Sequence, residues 1–154
     1  MRFEIRSATP DDGEIIASYN SRMAEETEGR PLRHDVIVPG VAKLLADDSK
    51  GRYWVAVSDS EVIGQIMITS EWSDWRDGLF WWIQSVYIQP DYRRAGIFSA
   101  LYRHVESLAR QDKACGLRLY VEQANERAQK TYVALGMIDP NYRVMEATFG
   151  DAEC

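Results

Sequence analysis

Trp82-Ile83-Gln84-Ser85-Val86-Tyr87-Ile88-Gln89-Pro90-Asp91-Tyr92-Arg93-Arg94-Ala95-Gly96-Ile97-Phe98 reads as a strand, a basic loop with one glycine, and the start of a helix. A strand can offer backbone groups to an extended ligand arm. The loop and helix start offer N–H groups and positive charge to phosphates. Gly96 lets the backbone approach a pyrophosphate closely, and the arginines supply charge-assisted hydrogen bonds. A loop glycine and two surface arginines are common, so the stretch takes its meaning from what flanks it.

Upstream, Leu79 to Ile88 is a long aromatic strand. Before it, Glu71-Trp72-Ser73-Asp74-Trp75-Arg76-Asp77-Gly78 is polar and turn-like, yet carries two tryptophans. Tyr53 to Val57 and Val62 to Thr69 form a hairpin around Ser58-Asp59-Ser60. Gly64 inside the second of these strands implies a bulge or a close backbone approach. Further back, Phe3 to Arg6 alternates as a first strand. Thr9-Pro10-Asp11-Asp12 has helix-start chemistry, and Ile15, Ile16, Tyr19 and Met23 line one side of the helix that follows. That helix ends near Gly29-Arg30-Pro31. A shorter helix is expected from Val38 to Ala46.

Downstream, Ile97, Leu101, Val105 and Leu108 share one helical face. Leu117 to Val121 is the next strand. Asn125 can cap a helix that runs to Leu135 and is closed by Gly136. Tyr142 to Thr148 reads as a final strand. The order is strand, two helices, three strands, helix, strand, helix, strand. The fold class is α/β (α+β), with a mixed, mostly antiparallel sheet and a parallel crossover around the 97–111 helix. No repeat or linker is visible, so one domain over 1–154 is expected.

The chain has 154 residues and a formal net charge of −6, with 45% hydrophobic residues. The negative charge argues against general nucleic-acid binding. No apolar run approaches the ~18 residues of a membrane span, and Met1 to Arg6 lacks a signal-peptide core. A cytoplasmic protein without a membrane partner is expected. Cys115 and Cys154 read as ordinary thiols, and no metal site is expected.

With both halves in view, the chain resembles the GNAT N-acetyltransferase superfamily. That family's signature, Gln/Arg-x-x-Gly-x-Gly/Ala, is matched by Arg93 and Gly96, with Phe98 departing from the small residue usual there. Asn125-x-x-Ala128-x-x-x-Tyr132-x-x-x-Gly136-Met137 resembles the family's second block. The resemblance implies a GNAT-like sheet whose splayed strands form a slot for acetyl-CoA as co-substrate. It implies that the cofactor lies along Val86, Tyr87 and Ile88 and over Arg93, Arg94, Ala95, Gly96, Ile97, Phe98 and Ser99. The side chain of Phe98 then points away from the phosphates. A bulge near Gln84-Ser85 would turn N–H groups toward the acetyl carbonyl. Asn125 would bond near the cofactor arm, or simply cap its helix.

Tyr132 is the catalytic candidate, because a phenol of pKa ~10 can protonate the departing CoA thiolate. Tyr120 and Tyr142 are rivals without motif support. The base is open among Glu25, Glu26, Glu28, Asp74 and Asp77. The acceptor side is expected to include Glu25, Glu28, Trp72, Asp74, Trp75 and Gln84. Trp72 and Trp75 read equally as a wall for a cationic amine or as a packing or homodimer surface. The activity implied is N-acetyl transfer to a primary amine, small-molecule or peptide, by direct attack. The alternative is a non-catalytic CoA or acyl-CoA sensor of the same fold. A P-loop protein is disfavoured, since the Gly-Lys-Ser/Thr ending is missing.

Overall fold

The computed structural model describes residues 1–150, and Cys154 lies outside them. Contacts divide the chain into two units, Met1–Tyr120 and the residues from Val121 onward.

The first unit holds a five-stranded sheet in chain order: β1 (Glu4–Ser7), β2 (Arg52–Ser58), β3 (Glu61–Ser73), β4 (Gly78–Ile88) and β5 (Gly116–Leu119). All neighbours are antiparallel except β4 and β5, which are parallel. Three helices cover it: α1 (Gly13–Glu28), α2 (His34–Leu45) and α3 (Ile97–Gln111). The sheet is mixed and mostly antiparallel, as the hydrophobic alternation predicts.

Each face of the sheet has its own core. On one face Ile16, Ala17 and Tyr19 of α1 and Val41 of α2 pack against Tyr53, Val55 and Tyr87. The Tyr19 and Tyr87 rings lie 4.9 Å apart. Trp54 and Trp81 stack with ring centres 6.2 Å apart, and Trp54 meets His104 of α3 edge-on. Burial lowers the pKa of His104, favouring its neutral form. Gly64 is needed for close approach: a Cβ there would stand 2.8 Å from Ile88 Cδ1 and 3.3 Å from Ile97 Cγ2.

Three expectations are corrected. α2 begins at His34 rather than Val38, with Pro39 inside it. Pro39 removes a single helical hydrogen bond, while Ile37, Val38, Val41, Leu44 and Leu45 face the core. The segment 71–78 is not a loop. β3 runs to Ser73 and β4 starts at Gly78, leaving a tight turn between them. Tyr142 to Thr148 forms no strand among the described residues, and Tyr142, Val144 and Met145 are exposed. Alternation marks a segment that can pair, but a strand exists only beside a partner.

The first helix is locked at its entry. Arg6 grips the Asp12 carboxylate through both terminal nitrogens, at 2.8 and 3.0 Å, and the Thr9 N–H donates to Asp12 at 2.7 Å. The Arg6 hydrogen bond holds the Asp12 carboxyl below its ordinary range. A depressed folded pKa gives stability that is present above the unfolded carboxylate pKa and lost as pH falls through the folded one. Asp12→Ala is expected to lose about 2 kcal/mol at neutral pH. The urea midpoint should fall at pH 7, with the gap to wild type closing toward pH 3. An unchanged midpoint at pH 7 contradicts this.

The second unit contains α4 (Glu126–Ala134). Asn125 caps it, its Oδ1 accepting the Ala128 N–H at 3.1 Å. Gly136, at φ 101°, closes it.

Candidate active site

β4 outruns β5. Pairing covers Phe80 to Ile83 against Gly116 to Leu119 and stops there. From Gln84 to Ile88, β4 has a strand neighbour on one side only, among the described residues. The antiparallel ladder decides which backbone groups this leaves open. The Gln89 N–H donates to Ile63 O at 2.9 Å, and Gly64 lies opposite Ile88. Alternation then turns the backbone of Ser85 and Tyr87 toward β3 and that of Val86 and Ile88 away from it. The backbone groups of Val86 and Ile88 thus face the open edge of β4, whereas that of Tyr87 faces β3 and its side chain is buried in the core.

The register between β3 and β4 shifts at Met67/Ile68, which leaves Gln84 as the extra residue of a bulge. Its Nε2 donates to Thr69 Oγ1 at 3.1 Å. The expected bulge at Gln84-Ser85 is present.

Beyond β4, the loop reaches α3 through two left-handed residues, Arg94 at φ 63° and Gly96 at φ 81°. Such a path turns successive N–H groups outward into a nest at the α3 N-terminus. Arg94, Ala95, Gly96 and Ser99 are exposed there. Ile97 is buried, so only its backbone can face a ligand. Phe98 is half-buried.

The two arginines differ. Arg93 Nε donates to Ile88 O at 2.9 Å, and its Nη2 meets Glu26 Oε2 at 2.7 Å. Its guanidinium also lies 5.4 Å from the Tyr87 ring centre, and the Tyr87 hydroxyl donates to Glu26 at 3.3 Å. Arg93 therefore braces the loop against α1. Arg94 has no ion pair among the described residues and is the arginine open to an anion.

Among the expected acceptor-side carboxylates, Glu25 and Glu28 are exposed; neighbouring Glu26, exposed as well, reaches Tyr87 of β4 and Arg93. Trp72 is 61% and Trp75 91% exposed. Asp74 accepts the Trp75 N–H at 2.9 Å within the hairpin tip. From Gly78 to Gln84 the strand covers roughly 20 Å, so the tip stands well away from the bulge. Sequence proximity suggested otherwise.

Asn125 and Tyr132 belong to the second unit and share one side of α4, since seven residues are about two turns. Tyr132 is half-buried, and burial raises its phenol pKa. A shallow groove runs along α4, past Asn125, Arg127, Lys130 and Thr131. Among the described residues no cluster of His, Cys, Asp and Glu could hold a metal, and no helix is long and apolar enough to cross a membrane.

Sequence reasoning missed a buried polar chain in which Gln65 donates to Asn20 at 2.8 Å and Asn20 donates to the Tyr53 hydroxyl at 2.9 Å. The available signal was two amides, Asn20 and Gln65, at positions whose neighbours are apolar.

Known proteins bear on this geometry. The crystal structure titled as that of "a possible acetyltransferase" from Clostridium difficile 630 is 45% identical, with TM-score 0.91, over 97% of this chain and 99% of that one. The structure of AAC(6')-Iy in complex with the bisubstrate analogue CoA-S-monomethyl-acetylneamine shares the fold at 16% identity. Its TM-score is 0.80, over 97% of this chain and 100% of that one. Thialysine N-epsilon-acetyltransferase of Bos taurus is 37% identical over 79 residues, which is 51% of this chain and 45% of that protein. The match thus spans less than half of the bovine protein. The family model of the acetyltransferases matches residues 10–137, and on that extent the chain belongs to the acetyltransferase (GNAT) family.

Proposed function

We propose that this chain transfers the acetyl group of acetyl-CoA to a primary amine by direct attack. The observation that carries the reading is the unpaired edge of β4 at Val86 and Ile88, running directly into the outward-facing amides of 94–98. That is one continuous surface for an amide-bearing arm followed by a pyrophosphate. The pantetheine arm would pair with Val86 and Ile88, and the phosphates would take the nest and Arg94. To free its carbonyl, Ile88 would exchange the Arg93 Nε bond for one to the arm.

Tyr132 is the proposed acid for the departing thiolate, and Asn125 holds the start of its helix. Glu26, once released from Arg93, would be the α1 carboxylate to meet an incoming cation or relay its proton through water. The acceptor class is small amines. The bovine relative is named for the ε-nitrogen of thialysine, and an acidic chain of net charge −6 attracts cations.

An acceptor screen following thiol release from acetyl-CoA, with the mass of the acetylated amine as second readout, tests the reading. Amine-dependent release with matching acetylated product is expected. Tight acetyl-CoA binding with no turnover on any amine would instead mark a sensor.

A further inference from the structure

Next to the bulge, one face of β3, β4 and β5 carries a charged pair on an aromatic shelf. Arg118 of β5 lies opposite Trp82 of β4, and Glu71 of β3 lies opposite Phe80, so the four side chains share a face. Arg118 Nη1 donates to Glu71 Oε1 at 2.8 Å. The guanidinium carbon is 3.6 Å from the Phe80 ring centre and 6.0 Å from that of Trp82. The Trp82 and Tyr120 ring centres are 4.6 Å apart. Phe80, Trp82 and Arg118 are half-buried, while Glu71 and Tyr120 are exposed. Thr69, opposite Trp82 on β3, is the residue that holds the bulge side chain of Gln84.

The Arg118 and Glu71 side chains keep 27% and 45% of their surface exposed, and an ion pair in that setting adds little to stability. Its geometry suits recognition. Among the described residues Arg118 makes this one hydrogen bond, and stacking on Phe80 fixes its plane. The other donors of the fork stay available for a carboxylate. Glu71 Oε2 stays available for a cationic group beside that carboxylate. Carboxylate and ammonium side by side form the head of an amino acid. From Glu71 along β3 to Met67, opposite Ser85 at the bulge, is roughly 13 Å. An amino acid with an extended aminoalkyl side chain covers that span once a contact distance is added at each end.

We propose that this patch holds the head of the acceptor, an amino acid whose side chain ends in the amine to be acetylated. Arg118 takes its carboxylate, Glu71 its ammonium, and Trp82 and Tyr120 pack against its methylene stem. This rests on the acetyl-transfer reading and narrows its acceptor class. Both charged residues bind and orient, and neither exchanges a proton with the acceptor.

Three probes share one terminal amine: lysine, 6-aminohexanoate, which lacks the α-amine, and 1,5-diaminopentane, which lacks the carboxylate. At saturating acetyl-CoA, lysine should have the highest kcat/KM. Arg118→Gln should lower kcat/KM for lysine roughly 10- to 150-fold, the worth of one charged contact, and mainly through KM. Its loss on 1,5-diaminopentane should be smaller. Arg118→Lys keeps the charge but not the fork and should fall between. Glu71→Gln should shrink the lead of lysine over 6-aminohexanoate. Melting temperature and acetyl-CoA affinity should stay near wild type in all three variants. Should Arg118→Gln fail to fold, Arg118→Lys and the wild-type lead decide. Lysine turnover no better than that of 1,5-diaminopentane in the wild type overturns the proposal, as does a lead that survives Arg118→Gln. If the wild-type chain binds acetyl-CoA but acetylates no amine at all, the transfer reading has failed, and calorimetry decides on the patch alone. Lysine binding that is tighter than that of 1,5-diaminopentane and depends on Arg118 then supports the proposal, and equal or absent binding overturns it.

Discussion

Tyr132→Phe is expected to cut kcat on the order of 10²–10⁴-fold, the usual worth of a positioned general acid. Acetyl-CoA affinity and melting temperature should barely change. Phenylalanine fills the same space on α4, and the helix keeps its Asn125 cap and its Gly136 stop. The pH profile carries a second signature. Burial lifts the Tyr132 phenol above its ordinary value, so the protonated form persists through neutral and mildly alkaline pH. Activity limited by this acid should decline only as pH rises above about 10. That limb should vanish in Tyr132→Phe, whose residual rate does not depend on the phenol. A stable Tyr132→Phe protein with wild-type kcat removes Tyr132 from the chemistry and leaves a packing tyrosine.

Gly96→Val is expected to weaken acetyl-CoA binding on the order of 10²-fold or more, as at least two charge-assisted hydrogen bonds at roughly 1.5–3 kcal/mol each are lost. Gly96 sits at φ 81°, and a Cβ there would meet no heavy atom within 4 Å. The fold therefore loses only the left-handed backbone preference, about 1–2 kcal/mol. Ligand binding loses more, because a branched side chain would stand on the surface that the loop amides present. Arg94→Ala should give a smaller loss, roughly 10- to 150-fold, from one charged contact. Arg93→Ala should instead act through the loop's brace on Glu26, and Glu26→Gln should reproduce part of its effect. Calorimetry with acetyl-CoA measures all four. Equal affinity in Gly96→Val and wild type would place the phosphates elsewhere.

The sequence was most informative where local chemistry and pattern agreed. Thr9-Pro10-Asp11-Asp12 announces α1, the Ile97–Leu101–Val105 spacing announces α3, and Asn125 with Gly136 brackets α4. Each is a contest settled within a few residues. The β4 bulge was legible through the family resemblance, and the mixed, mostly antiparallel sheet through the order of the elements. Other features depend on neighbours far along the chain. Pro39-Gly40 reads as a break, yet the apolar stripe from Ile37 to Leu45 carries α2 through it. Tyr142 to Thr148 alternates without a pairing neighbour. The Arg93–Glu26 pair joins residues 67 positions apart, so the first motif arginine looked like a phosphate ligand. Gln65 and Asn20, 45 positions apart, gave no sign that each satisfies the other in the core.

The central claim is that the open edge of β4 receives the cofactor arm. Residue-resolved amide hydrogen exchange, with and without acetyl-CoA, tests it most directly. In the free protein Tyr87, paired with β3, should exchange slowly, while Val86 and Ile88 exchange faster. Saturating acetyl-CoA should slow Val86 and Ile88 together with the amides of Gly96 to Phe98, and leave Tyr87 little changed. Saturated binding without protection at Val86 and Ile88 would contradict the account.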